Sequence, residues 1–430
     1  YPKEDFTRID VINHWFENKR EIDGVPSKLW RVHDKYYDLT DFIEKHPGGK
    51  IWIEKNKGTD ITELFESHHI EIEKAKIILK IYFVKDAKTQ RNSNYTFHRD
   101  GFYSSLRARV LPIYRAASKT AQNSTHVTLY SWFCCMVVFL CLGLQSSQIS
   151  CFLIAGFFGA LTINVAHNFF HKADNFHMRL FDISLMSSTR WRQTHAMSHH
   201  TFPNTCLDLE VTQFEPFAYL MPKKTTSLLF SIKNEIINFP KNDQKKPILL
   251  SVTTTIDFLK RILSSFFFAE QEFEAVNLIP LFELAVFYAF NENWMFFFII
   301  FHFTMRDFFF SFSFAFLSLP GIHHNTVNYY EGHESRKDTD WGLLQVDTIV
   351  DRWFTASENT SHAIAVSAFG DHTLHHLFPT VDGAILKSFI PAYKKTLQDF
   401  GIKYKQSNCL YDWQEFFKIL YATKPEMKQK

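Results

Sequence analysis

Eight histidines stand at spacings that suit metal ligation: His167 and His171; His195, His199 and His200; His372, His375 and His376. Residues three or four apart share one helix face, so each cluster can aim two or three ring nitrogens at one point. Imidazole suits zinc, copper, iron and nickel, and one tetrahedral ion takes about four ligands, so eight imidazoles exceed the need of a single ion. Two ions are the better count. A lone H-x-x-x-H is as often a packed or surface pair as a ligand pair, but three clusters in one chain point to a metal centre.

A second chemistry-bearing feature lies nearer the N-terminus. His46-Pro47-Gly48-Gly49 ends a run that begins at Trp30 and passes through Tyr37-Asp38-Leu39-Thr40-Asp41-Phe42. A proline and two glycines directly after a histidine make a tight turn where backbone can approach a flat ligand, and haem is such a ligand. A second axial ligand should come from the opposite wall. His68 and His69 lie 22 and 23 residues on, after Gly58-Thr59-Asp60-Ile61-Thr62-Glu63-Leu64-Phe65. Two histidines would saturate the iron, leave no open position for oxygen and favour electron transfer. Alone, His-Pro-Gly-Gly fits an ordinary turn as well.

Two unlike parts of the chain must position these residues. Up to about residue 90, charges are spread throughout, short β-type runs appear (Leu29 to His33, Lys35 to Leu39), and no apolar stretch could span a bilayer. From Val127 the character changes. Val127 to Leu144 is an uncharged apolar run of 18 residues, and after Gln145 to Gln148 another of 17 follows, Ile149 to Val165. Both lie near the lower limit for a spanning helix, and the short connection predicts a hairpin that returns the chain to its starting side just before His167. A second apolar pair, Val276 to Phe290 and Trp294 to Leu319, flanks Asn291-Glu292-Asn293. It carries Glu283 and Arg306-Asp307, which at that depth are expected to pair inside the bundle. Between the pairs, residues 172–265 are mostly polar, with Pro203, Pro216, Pro222 and Pro240 and lysine pairs at 223–224 and 245–246, and are expected to stay outside the bilayer. Four crossings would put the N-terminal module and all three histidine clusters on one side, which lysine and arginine enrichment marks as the cytosol.

At 430 residues two domains are expected. A formal net charge of +2, with interspersed signs and no long basic run, argues against nucleic acid as a partner. Phenylalanine is the outlier, with 47 copies crowded into runs such as Met295 to Phe303, for which lipid is the natural solvent. The six cysteines (Cys134, Cys135, Cys141, Cys151, Cys206, Cys409) form no disulfide framework, which fits a reducing compartment. Tyr1 is not an initiator methionine, which leaves the natural start open, and the residues behind it show no secretory signal.

Residues 25 to about 85, with the series W…YDLT-x-F…HPGG…GTDIT-x-x-F in order, resemble a cytochrome b5 domain. The resemblance implies haem b held by His46 and, by its place four residues after Phe65, His69, with His68 as the competing assignment. It also implies that Leu39, Phe42, Leu64 and Phe65 line the haem crevice, where an apolar wall helps set the potential. Residues 125 to 400, with His167-Asn168-Phe169-Phe170-His171, His195-Ala196-Met197-Ser198-His199-His200 and His372-Thr373-Leu374-His375-His376, resemble the three histidine boxes of membrane fatty acid desaturases. His372 stands where b5-fused front-end desaturases usually carry glutamine, which puts regiospecificity in doubt and leaves metal binding intact. The whole arrangement resembles the insect cytochrome b5-related proteins.

The expected fold is therefore multi-domain: an α+β cytochrome b5-like haem domain (1–95), a connector (96–125), an all-α membrane desaturase-like domain with four transmembrane helices (126–400) and a cytosolic tail (401–430). Desaturases of this kind recruit ligands outside the boxes, and His362 and His333 are candidates, with His323 and His324 nearer the end of the apolar run. Asp174, Asp182, Asp208 and Asp371 are placed to orient imidazoles. A bis-histidine haem supplies electrons that zinc could not use, so two non-haem Fe ions are the better assignment. The resemblance implies a lipid (fatty acyl or sphingolipid) desaturase of the endoplasmic reticulum membrane, using O2 and electrons from NADH through cytochrome b5 reductase. Its rivals are a hydroxylase on the same scaffold and a haem electron carrier or iron-binding membrane protein without lipid turnover.

Overall fold

The computed structural model describes residues 8–117, 119–212, 258–259, 277–310, 322–352 and 360–407, with 414, 415 and 418. Pro216, Pro222, Pro240, the two lysine pairs, Cys409, the end of the fourth apolar run and most of the 401–430 tail lie outside the described residues.

The charged N-terminal part folds as a small α+β unit. β1 (Trp30–Val32) and β2 (Lys35–Tyr37) form an antiparallel hairpin whose turn places His33 at φ 52°, and β3 (Phe83–Asp86) pairs antiparallel with β2. Alternation places Trp30 and Val32 inward, where they meet Ile53, Ile61, Phe65, Ile72 and Leu79. The Trp30 indole N–H donates to the Ile53 carbonyl at 2.8 Å, so its one polar atom is satisfied in the core. Helices Thr62–His68 and Ile72–Leu79 lie between β2 and β3 in the chain.

A helix over Phe102–Ala116 connects the two parts and buries Phe102, Tyr103, Leu106 and Val110, a stripe at helical spacing. That stripe packs on Trp341, Leu377, Phe378 and the apolar face of the long helix Gly383–Asp399. Beyond it come Lys119–Ser146 and Ile149–Ala166, antiparallel around Ser147 and Gln148. The spans Asn123–Ser146 and Ile149–Phe169, with mean hydropathy 2.2 and 2.0, are long and apolar enough to cross a bilayer. The second pair is Leu278–Phe290 and Trp294–His302, the latter continuing as a π-helix over Phe303–Phe310. The amide of Asn291, between these two, donates to the Leu144 carbonyl (3.0 Å) and Ser147 Oγ (3.1 Å), so both turns sit at one end of the bundle. Gly156 and Gly159 let the pairs approach: a Cβ at 156 would lie 2.7 Å from Thr304 Cβ, and one at 159 would lie 2.6 Å from Met305 Sδ.

Glu283 pairs with His302 at 3.5 Å inside the bundle, while Arg306 is buried and the Asp307 side chain is outside the description. Among the described residues, the strands of the second part are a two-residue parallel pairing of Asp351–Arg352 with Gln406–Ser407, and its other regular elements are helices. Cys134, Cys135, Cys141, Cys151 and Cys206 are free thiols.

Candidate metal and haem centres

His46 closes the turn before the glycines. Gly48 leaves room for its ring, since a Cβ there would stand 2.7 Å from His46 Cε1, and Gly49 adopts φ +98°, a region that favours glycine. The Nδ1 of His46 bonds to the Gly49 carbonyl at 3.0 Å, and the Nδ1 of His69 to the Phe65 carbonyl at 2.8 Å. Each bond fixes the proton on Nδ1 and leaves Nε2 with a bare lone pair, as metal-bound histidine requires. The two ring centroids are 6.2 Å apart, close to the roughly 6 Å that two metal–nitrogen bonds and two ring radii demand. These residues fit a bis-histidine haem. His68 turns away, against Trp52 at 4.8 Å. Phe42 lies 5.7 Å from the His46 ring, Phe65 lies 5.0 Å from His69, and Leu39 is in the same core. Leu64 points elsewhere, into a cluster with Trp15, Phe16, Trp52, Ala196, Met197 and Leu209 that joins the two parts.

The eight histidines of the second part converge, but not cluster by cluster. His167, His171, His195, His200 and His375 bring one nitrogen each within 4.8 Å of one another, and His199, His323 and His376 form a second such group. His372 joins the latter through His323, Nε2 to Nε2 at 2.9 Å. The second and third clusters are thus divided between two groups, contrary to the expectation that each aims at one point. Local backbone explains the division. Arg192–His199 is a π-helix, with the His200 N–H donating to the His195 carbonyl five residues back. In an α-helix His200 would stand roughly 140° round from His195, whereas the wider turn brings the two onto one side and leaves His199 for the other group. The third cluster rides on the short helix His372–Leu377, entered through Asp371 at φ 51°, a strained conformation for a residue with a side chain.

All of these imidazoles are buried. Among the described residues, both nitrogens of His171 and the Nε2 atoms of His375 and His376 have no hydrogen-bond partner. Left bare, each such atom costs about 1–3 kcal/mol, so the arrangement asks for a cation. Around the rim, carboxylates and one amide orient the rings: Glu210 accepts from His195 Nδ1 (2.9 Å), Asp208 from His199 Nδ1 (2.8 Å) and Gln345 from His376 Nδ1 (3.1 Å). Burial opposes protonation of His199, yet the Asp208 and Glu210 carboxylates outweigh it and raise its proton affinity. Burial also opposes ionisation of Glu210, and His195 and His199 hold its carboxyl well below the usual range.

Of the four aspartates, Asp208 bonds a ring of the groups, that of His199. Asp174 pairs with Arg192, and Asp182 accepts from the Ser188 amide and hydroxyl. Asp371, buried beside Asp351, is pushed up to about 7. His362 bonds Thr125 Oγ1 at 3.0 Å and His333 lies against Tyr330, both outside the two groups. His324 meets the Tyr330 hydroxyl at 3.1 Å.

Residues 147–408 match the model of the fatty acid desaturase family, well over half of the chain, and residues 17–88 match that of the cytochrome b5-like haem/steroid-binding domain. The chain belongs to the fatty acid desaturase family. A cytochrome b5-like domain precedes its desaturase domain. The chain is 34% identical to the cytochrome b5-related protein of Drosophila melanogaster over 95% of its own length and 91% of that protein's. It is 22% identical to the Delta(5) fatty acid desaturase A of Dictyostelium discoideum, over 87% and 85% of the two chains. The acyl-lipid omega-13 desaturase of Chlamydomonas reinhardtii is also 22% identical, over 89% and 90%. No solved structure matches the chain.

Proposed function

We propose that the protein is a b5-fused, di-iron lipid desaturase of the endoplasmic reticulum membrane, acting on a fatty acyl or sphingolipid chain. The observation that carries the reading is the pair of buried histidine groups, each with bare nitrogens and with carboxylates or an amide behind its rings, beside a module built to hold haem. His167, His171, His195, His200 and His375 would hold one iron, and His199, His323, His372 and His376 the other. His46 and His69 would hold haem b. When bound, the iron pair supplies O2 activation at an unactivated C–H bond, which zinc cannot.

The chain's own residues bind, orient and insulate. Glu210, Asp208 and Gln345 keep the ring hydrogen on Nδ1 and present Nε2 inward, while burial excludes water. Overall, two electrons from NADH by way of cytochrome b5 reductase, two hydrogen atoms from the lipid and two further protons convert one O2 to two waters and leave one C=C bond. Four crossings, by the 127–144, 149–165, 276–290 and 294–319 segments, would put residues 1–95 and all three boxes in the cytosol, with 96–125 as connector, 126–400 as the desaturase domain and 401–430 as a cytosolic tail.

Purified protein should hold haem and close to two further irons, and lipid profiles of cells with and without it should differ by a double bond. A hydroxylated lipid instead would establish the hydroxylase, and unchanged lipids with intact metal would leave the electron carrier.

A further inference from the structure

The two ends of an electron path are close together, and one side chain lies between them. His68 and His69 are neighbours in the chain, but their rings diverge: His69 turns towards His46, and His68 turns into the desaturase domain, 5.8 Å from the ring of His171. The Nδ1 of His68 meets Ser67 Oγ at 2.9 Å, and its Nε2 is shut off from solvent with no hydrogen-bond partner. Its backbone carbonyl accepts from Thr380 Oγ1 at 3.3 Å, four residues beyond His376.

The surrounding contacts hold this arrangement in place. Trp52, against which the His68 ring lies, also has the Arg192 guanidinium over its ring at 5.6 Å, and Arg192 Nε donates to the Phe170 carbonyl beside His171 at 2.7 Å. Leu64 and Trp52 pack in one cluster with Ala196 and Met197, two of the three residues between His195 and His199. The Gly48-Gly49 turn also abuts the desaturase domain, but there the neighbours are the Ala173 and Asp174 backbone rather than a ligand ring.

We propose that His68 is the bridge through which electrons pass from the haem to the histidine-held iron pair, along His69, the peptide link, the His68 ring and the His171 ring. This rests on the reading above, that both centres are loaded. Each passage oxidises one ferrous haem to ferric and reduces one ferric ion of the pair to ferrous; the electron enters the haem from the reductase or, in the test, from dithionite. No proton needs to cross, since neither ring nitrogen of His68 changes its hydrogen. Tunnelling falls off steeply across empty space, so the ring matters as filling between two ligands, and His68 is a positioning residue rather than a catalytic one.

The test uses the full chain, haem- and iron-loaded in lipid nanodiscs. The haem is reduced by one equivalent of dithionite without oxygen, and its reoxidation by the ferric pair is followed at the haem absorption band. His68→Ala should slow that single-turnover step by roughly tenfold or more, the scale on which residues next to a metal ligand act. It should keep the low-spin haem spectrum, the iron content and the rate of haem reduction by reductase. His68→Phe, which refills the gap with a ring, should recover most of the rate. An unchanged rate in His68→Ala overturns the bridge. Loss of the haem spectrum, or of iron, in both variants also overturns it, because His68 would then be a ligand. Absence of reoxidation in the unaltered, fully loaded protein removes the di-iron reading itself, and the bridge with it.

Discussion

At single residues, the chemistry turns on which imidazole nitrogen is left bare. The Gly49 and Phe65 carbonyls occupy Nδ1 of His46 and His69 and free both Nε2 atoms for one iron. His46→Ala and His69→Ala should therefore each abolish a six-coordinate, low-spin haem spectrum, and His68→Ala should leave it. On the desaturase side Glu210 plays the part of the carbonyls. Glu210→Gln keeps the shape but weakens the hold on His195 and the field on His199, so iron affinity should fall roughly 10–100-fold by metal titration, with the haem spectrum unchanged. The eight box histidines stand out as metal candidates by their spacing, because helix geometry makes spacing meaningful, whereas His46 in its His-Pro-Gly-Gly turn needs the family resemblance as well. His323 is a candidate only through the family's habit of recruiting further ligands, and Glu210 and Gln345 are not legible at all, because nothing in their local sequence separates a support for a ligand from any other buried polar residue.

Among the elements, the sequence pattern foretold helices and hairpins but not the π-helix that splits His195 and His200 from His199. An i→i+5 turn leaves no mark in apolar periodicity, and here it is held by tertiary contacts: Ala196 and Met197 against the haem domain, and Trp191 N–H on Glu210. The apolar runs predicted two pairs of apolar segments, and glycines set how closely those pairs approach. A leucine at Gly156 would drive its Cβ into Thr304 and the Met305 backbone. Gly156→Leu should cost about 1–3 kcal/mol and lower iron retention, because the 149–166 helix carries His167 at its end. Glycosylation tags near Ser146 and Asn293 should report the side opposite to tags near Lys50 and Lys424. A tag near Lys424 that shared the side of Ser146 would mean an odd number of crossings, and one metal centre could not then be assembled from all three boxes.

At the scale of the whole molecule, what matters is that the haem domain is seated on the desaturase domain rather than tethered beside it. A buried ion pair fixes that seat. Glu66 of the haem domain accepts from Arg107 of the connecting helix at 2.7 Å and from His33 at 2.8 Å, and Arg107 also donates to the Glu66 carbonyl at 3.1 Å. Burial alone would raise the Glu66 carboxyl, but His33 and Arg107 outweigh it and hold it down to about 2. The folded protein therefore binds this proton more weakly than the unfolded chain, whose glutamate titrates near the ordinary value of 4.5. The contribution of Glu66 is complete above pH 4.5 and is lost as the pH falls through 4.5 towards 2. Glu66→Gln should destabilise the protein by roughly 3 kcal/mol at neutral pH, since Arg107 would keep its charge in a buried site with no counterion of equal strength. The gap in melting temperature between Glu66→Gln and the unaltered protein should shrink as the pH is lowered through that window. A gap that stays constant with pH would mean that Glu66 seats the haem domain through shape and hydrogen bonds, with its charge contributing nothing.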